Sequence, residues 1–298
     1  MYRRIPRAVR ASKRAGLIGV MLFSLTGMAA RAEVDITGNW RPLPRNQDGD
    51  GLTLDAAGVP LSEEGRDRLH RWSPSEFDMA EWVCRPHAWD YSLEGPLSQI
   101  RFWPEHDRTT QRLVAYHGHI NMEGQEATVW MDGRPHPSRY APHTWSGFTT
   151  GEWQGDVLVT TTTHLKEAYI RRWGIMRSDQ TTVRTYWRRI GDYLQATVVM
   201  YDPLYLTEPY TRSSMMWTND PTLAMAPYPC EEATETAIPR GTVAHFLPGQ
   251  SPMPGLDPNV TDIFGTPFEA RMGGAETTFP EYIERMRAMP TPPQVIEE

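Results

Sequence analysis

Thr181-Thr-Val-Arg-Thr-Tyr-Trp-Arg-Arg-Ile190 runs into Gly191-Asp192 and then into Tyr193-Leu-Gln-Ala-Thr-Val-Val-Met-Tyr201. In the first run Val183, Thr185 and Trp187 fall on one side, Arg184, Tyr186 and Arg188 on the other. In the second, Leu194, Ala196, Val198 and Met200 share a side. Alternation of period two is the pattern of a strand with one buried face. Gly191-Asp192 is a two-residue turn signal between two such strands. The stretch therefore predicts a β-hairpin, ended by Asp202-Pro203.

The same texture extends upstream. Val157 to His164 reads as a strand rich in β-branched threonine, which fits a pleated surface, and Gly151 to Asp156 before it reads as a turn cluster. Leu113 to Asn121, Ala127 to Met131, Gln99 to Trp103 and Ile36 to Arg41 are further strand candidates. Helix is confined to patches: Ser62 to Arg71, with Ser62 as the cap, and Pro280 to Met289, with Pro280 near its first turn. The expected fold is mainly β, an antiparallel, barrel-like (lipocalin-like) sheet of about eight to ten strands, or else a sandwich. Ten prolines between Ile238 and Glu298 mark a change of texture. Residues 33–236 are read as the β domain and 237–298 as a proline-rich extension with one short helix, ending in a loose tail from Thr291.

The first 32 residues read as a secretory leader. Arg3, Arg4, Arg7, Arg10, Lys13 and Arg14 precede an apolar run from Ala15 to Ala30, and Ala30-Arg31-Ala32 is a small-x-small cleavage site. A spanning helix needs about 20 apolar residues, and this run is shorter and interrupted by glycines. The expectation is a periplasmic or secreted protein without stable membrane insertion. Removing the leader takes away seven basic residues and no acid, moving the net charge from −7 to −14 and leaving Lys166 as the sole lysine. So acidic a chain repels nucleic acid and anionic membranes. In an oxidising compartment Cys84 and Cys230 read as one disulfide, which would stabilise by about 3–5 kcal/mol in the chain-entropy model. Two buried thiols are the alternative.

Ordered blocks carry a family resemblance. They include Cys84-Arg-Pro-His87, Trp130-Met-Asp-Gly-Arg-Pro-His-Pro137, Ala141-Pro-His-Thr-Trp145 and Gly151-Glu-Trp-Gln-Gly-Asp-Val-Leu-Val159. Thr162-Thr-His-Leu-Lys166, Ile170-Arg-Arg172, Ser178-Asp179, Asp202-Pro-Leu-Tyr-Leu-Thr-Glu-Pro209 and Pro227-Tyr-Pro-Cys-Glu231 continue them. Over residues 36–232 the chain resembles a large family of exported, functionally uncharacterised bacterial proteins. The resemblance implies a β-rich exported domain and no reaction. Trp173 and His117 depart from the pattern, so a role built on His117 is peculiar to this chain.

Chemistry-bearing side chains concentrate in the middle. Of nine histidines, five lie between 117 and 164. His117 and His119 share a strand face, and with His136, His143 or His164 they could form an imidazole site for zinc or copper. Alternatively, histidines titrate near neutrality and transfer protons without a cofactor, or they simply cap turns and fill polar core positions. For proton transfer the candidates are His119, His136 and His164, with Asp179 or Asp132 orienting. Alternation gives His164 the face of Leu158, Thr160 and Thr162, which would put it at a barrel mouth above a row of hydroxyls. Arg171 is the candidate contact for an acidic group, against a plainer salt bridge to Asp179. Trp145, Trp173 and Tyr169 are candidate walls for an apolar or aromatic ligand, or core. Asn46 to Gly51 resembles half a calcium loop but carries Ala57 where the twelfth-position acid belongs. No nucleophile elbow, phosphate loop, dinucleotide fingerprint or zinc-protease motif occurs. The reading is an exported small-molecule-binding β protein, with cofactor-free histidine acid–base catalysis as the activity to test. Its rivals are an envelope metal-binding accessory protein and an envelope scaffold without a ligand.

Overall fold

The hairpin forms in the expected register: Ile190 pairs with Tyr193 across the two-residue turn, and Gly191 takes φ +59°, a left-handed conformation glycine adopts without steric cost. Leu194, Ala196, Val198 and Met200 are all buried, as are Val183, Thr185 and Trp187 on the facing strand.

The computed structural model describes residues 35–43, 58–72, 87–93, 99–121, 125–171, 174–225 and 274–289. The strands are β1 (Gly38–Pro42), β2 (Ile100–His106), β3 (Leu113–Ile120), β4 (Gln125–Trp130), β5 (Phe148–Gln154), β6 (Val157–Thr163), β7 (Ala168–Arg171), β8 (Ile175–Arg177), β9 (Thr182–Ile190), β10 (Tyr193–Tyr201) and β11 (Tyr210–Asn219). The helices are α1 (Glu63–His70), α2 (Trp89–Ser92) and α3 (Pro280–Ala288). Nine strands close into a barrel in the order β1-β11-β10-β9-β6-β5-β4-β3-β2, and β7 and β8 form a separate ribbon. Closure leaves the nine strands no free sheet edge.

Two expectations are corrected. Gly151 to Asp156 is not a turn cluster: residues through Gln154 belong to β5, and only Gly155-Asp156 turn the chain. Its glycine and polar residues weaken the alternation, and pairing with β6 overrides that local signal. The barrel is also not wholly antiparallel, because β4 and β5 run parallel. β7 and β8 are too short, and the centre of β11 too polar, for a strand period to show in their sequence.

Ser62 caps α1 as expected, its hydroxyl accepting from the Gly65 amide. The region around 274–278 docks on residues 58–59 through Gly58 N to Thr277 Oγ1 (2.7 Å) and Gly274 N to Val59 O (2.8 Å). Asp202, which ends the hairpin, accepts from the Ser178 and Thr181 hydroxyls and from the amides of Ser178, Leu204 and Tyr205. Burial pushes its carboxyl up, but these donors outweigh burial and hold it below the usual range. The leader, Cys84, Cys230, residues 46–51, Arg172, Trp173 and most of the proline-rich extension lie outside the described residues.

The barrel core is Trp40, Ile100, Phe102, Leu158, Trp187 and Trp217 with the β10 side chains. At one place a helix reaches into it. Trp89 of α2 packs against Phe102 and Trp187 at centroid distances of 5.5 and 6.2 Å. It lies over Gly118, where any Cβ would collide with the indole. The next residue, Asp90, pairs with Arg177 of β8 at 2.8 Å, with the two side chains 3% and 0% exposed. Removing one partner from such a pair leaves an uncompensated buried charge, costing about 3–5 kcal/mol. Asp90→Ala should lower unfolding free energy in urea by about that amount, whereas the joint change Asp90→Leu with Arg177→Met should cost less than either single change.

Candidate functional site

The site grows from the two faces of β6. Thr149 pairs with Thr162 and Phe148 with Thr163 across β5 and β6. The Thr149 and Thr162 hydroxyls meet at 2.8 Å on the inner face, so alternation turns Thr150 and Thr163 outward. Residues 131–147 connect the parallel strands β4 and β5 and lie against the end of β6. The Thr144 amide donates to His164 O (2.9 Å), and the Lys166 amide donates to Thr144 O (3.0 Å). His136 of this connection spans the two outward hydroxyls, with Nδ1 2.8 Å from Thr163 Oγ1 and Nε2 2.9 Å from Thr150 Oγ1.

His164 does not stand at the barrel mouth above the inward threonines. Its φ is +57°, a left-handed conformation uncommon outside glycine and often stabilised by its surroundings at functional sites. Alternation stops there, and the ring joins the outer group. Its Nδ1 lies 2.8 Å from Thr163 Oγ1 and its Nε2 2.9 Å from Ser138 O.

The chemistry of the partners assigns the protons. A carbonyl only accepts, so His164 Nε2 carries a hydrogen, and in the neutral ring Nδ1 is the acceptor. Thr163 then donates to His164 Nδ1 and accepts from His136 Nδ1–H. His136 Nε2 is left to accept from Thr150. The result is a one-way chain, Thr150 to His136 to Thr163 to His164 to the Ser138 carbonyl. His143 sits beside it, its ring 5.3 Å from that of His164. Its Nδ1 lies 2.9 Å from Leu165 O and must donate, so the neutral ring presents an Nε2 lone pair, the disposition of a general base held by a backbone acceptor. Burial, helped by the charge of a protonated His164, lowers the His136 pKa.

The remaining candidates separate. Lys166 extends over the Trp145 ring, Nζ 4.7 Å from its centroid, on the strip adjoining His143. His119 is on β3 between Arg101 and Glu126. His117 bonds Glu105 at 2.6 Å and Thr128 at 3.2 Å and stacks on Trp103. Among the described residues no three His, Cys, Asp or Glu side chains gather to hold a metal, so His117, His119 and His136 are not brought together. Asp132 pairs with Arg134. Asp179 is exposed, and Arg171 donates to the Tyr210 hydroxyl at 3.0 Å rather than bridging to it. Tyr169 is buried in a second cluster with Trp72, Tyr91 and Met176.

Sequence reasoning named His136 and His164, and His143 only as a metal ligand, but missed Thr150, Thr163 and Ser138. The threonine run was visible; which hydroxyls face outward depends on barrel register. The chain matches no family model, no curated protein and no solved structure.

A histidine with a depressed folded pKa adds stability that is present above the unfolded value, 6.5, and is lost as pH falls through the folded value, because the unfolded chain binds the proton first. Melting temperatures between pH 7.5 and 5 should therefore fall on acidification. His136→Gln should flatten that fall. An unchanged slope would show that His136 titrates no differently in the folded protein.

Proposed function

We propose that this chain is an exported β-barrel protein that binds a small molecule at the outer histidine cluster and serves there as a cofactor-free acid–base centre. The observation that carries the reading is the unbroken chain from Thr150 through His136, Thr163 and His164 to the Ser138 carbonyl. Such a chain lets a proton arriving at His136 Nε2 appear as a charge on His164: Nδ1–H of His136 passes to the Thr163 oxygen as the Thr163 hydroxyl proton passes to His164 Nδ1. His143, with its free lone pair, is the group that takes a proton from the ligand. The neighbouring Trp145 face suits an apolar or aromatic body, and Lys166 suits an acidic substituent on it.

A scaffold without a ligand is the second reading. It is favoured by the dense packing of the barrel interior, where Trp40, Ile100, Leu194, Ala196 and Met200 are fully buried. The two readings part on binding.

Calorimetry with benzoate and 2-naphthoate should show binding that is lost in Lys166→Ala with Trp145→Ala. His143→Gln should keep binding and lose any proton uptake measured as a buffer-dependent enthalpy. Absence of binding by the unmodified protein to both aromatic acids would leave the scaffold reading. Nitrogen-15 spectra of the imidazoles should independently show Nδ1–H on His136 and His143 and Nε2–H on His164. Any other tautomer on His164 breaks the relay.

A further inference from the structure

A second feature lies inside the barrel, on the opposite face of β6 from the outward Thr163, and is independent of the histidines' role. Beneath α2 there is a cavity of about 30 Å³, bordered by Trp89, Ser146, Thr149, Thr160, Thr162 and Thr185. A water needs about 10–15 Å³ on the same measure, so the space suits about two water-sized molecules. Its wall is mainly apolar, from Leu93, Ala127, Val129, Leu165 and Val183, with the serine and threonine hydroxyls set among them. The Thr160 hydroxyl donates weakly to Thr185 O at 3.3 Å, and Thr149 and Thr162 share one bond between them, which leaves hydroxyl lone pairs over.

Two buried groups at this end find no hydrogen-bond partner within the protein. One is the Trp89 indole N–H, on a side chain that borders the cavity. The other is the whole carboxamide of Gln125: the residue is 2% exposed, and neither its nitrogen nor its oxygen is bonded. Gln125 lies two and four residues before Ala127 and Val129, on the same face of β4, and both of those border the cavity. Each such orphan costs about 1–3 kcal/mol if left dry, and folded proteins rarely keep several together. The neighbouring charge does not ask for an ion, because Asp90 is already neutralised by Arg177.

We propose that this cavity is a binding site for small, uncharged, hydrogen-bonding molecules, filled by water in the resting protein, with the Trp89 N–H as an anchor on its lining, the Gln125 amide, two residues from that lining along β4, as a second anchor, and the threonine hydroxyls as the polar part of its wall. Trp89 is also its lid: the indole is seated in the Gly118 notch and held by the buried pair one residue on.

Two probes test this on the full chain, water and xenon. Water-to-protein cross-relaxation spectra should show long-lived contacts at the Trp89 indole proton and the Gln125 amide protons. Xenon, which enters dry apolar cavities, should not bind the unmodified protein. Gln125→Leu should lose the water contacts and gain xenon binding, and Thr160→Val, nearly isosteric, should move in the same direction if the leucine variant fails to fold. Xenon binding by the unmodified protein, or both anchor protons lacking water contacts, would overturn the proposal.

Discussion

Arg177 is the point at which the parts of this molecule are joined. Its guanidinium, fully buried, bonds Asp90 of α2 through Nε and the Lys166 carbonyl through Nη1 at 2.8 Å. One planar cation thereby fixes three elements: the helix that plugs the barrel, the β7–β8 ribbon, and the strip from His164 to Lys166. Arginine suits this position because its donors are rigidly forked and remain charged when buried. The pair's stabilising value is small beside the cost of breaking it, because desolvation offsets most of the attraction. Its structural consequence is positional. Trp89 is held in the Gly118 notch, and the Lys166 end of the histidine strip is held against the core.

The strand β6 feeds both sites described above. Its inward threonines, Thr160 and Thr162, border the internal cavity, while Thr163 faces out and bridges two imidazoles. The switch between faces is the left-handed backbone at His164. A residue that continued the strand would have placed its ring on the side of Thr162. By breaking the alternation, the chain gathers His136, His143 and His164 on one side of the sheet wall and leaves the other side to hydroxyls and indoles. The cluster needs no metal to be ordered, because threonine hydroxyls and backbone carbonyls at Ser138 and Leu165 already satisfy five of its six ring nitrogens.

The amino-acid sequence by itself determined the class of fold, the hairpin from Thr182 to Tyr201 and the inward rows of β9 and β10, because alternation and turn chemistry are local properties. It also marked the region where the imidazoles concentrate and the cap at Ser62. Only the tertiary structure decided which histidines meet. His119 and His164 look equivalent in the sequence, each near the end of a strand, yet one pairs across to Arg101 and Glu126 and the other joins His136. The parallel pairing of β4 with β5 and the partnership of Asp90 with Arg177, 87 positions apart, were equally invisible. The physical reason is common to all three: they are set by barrel closure and by the desolvation of groups distant along the chain, and neither leaves a periodic trace among neighbouring residues.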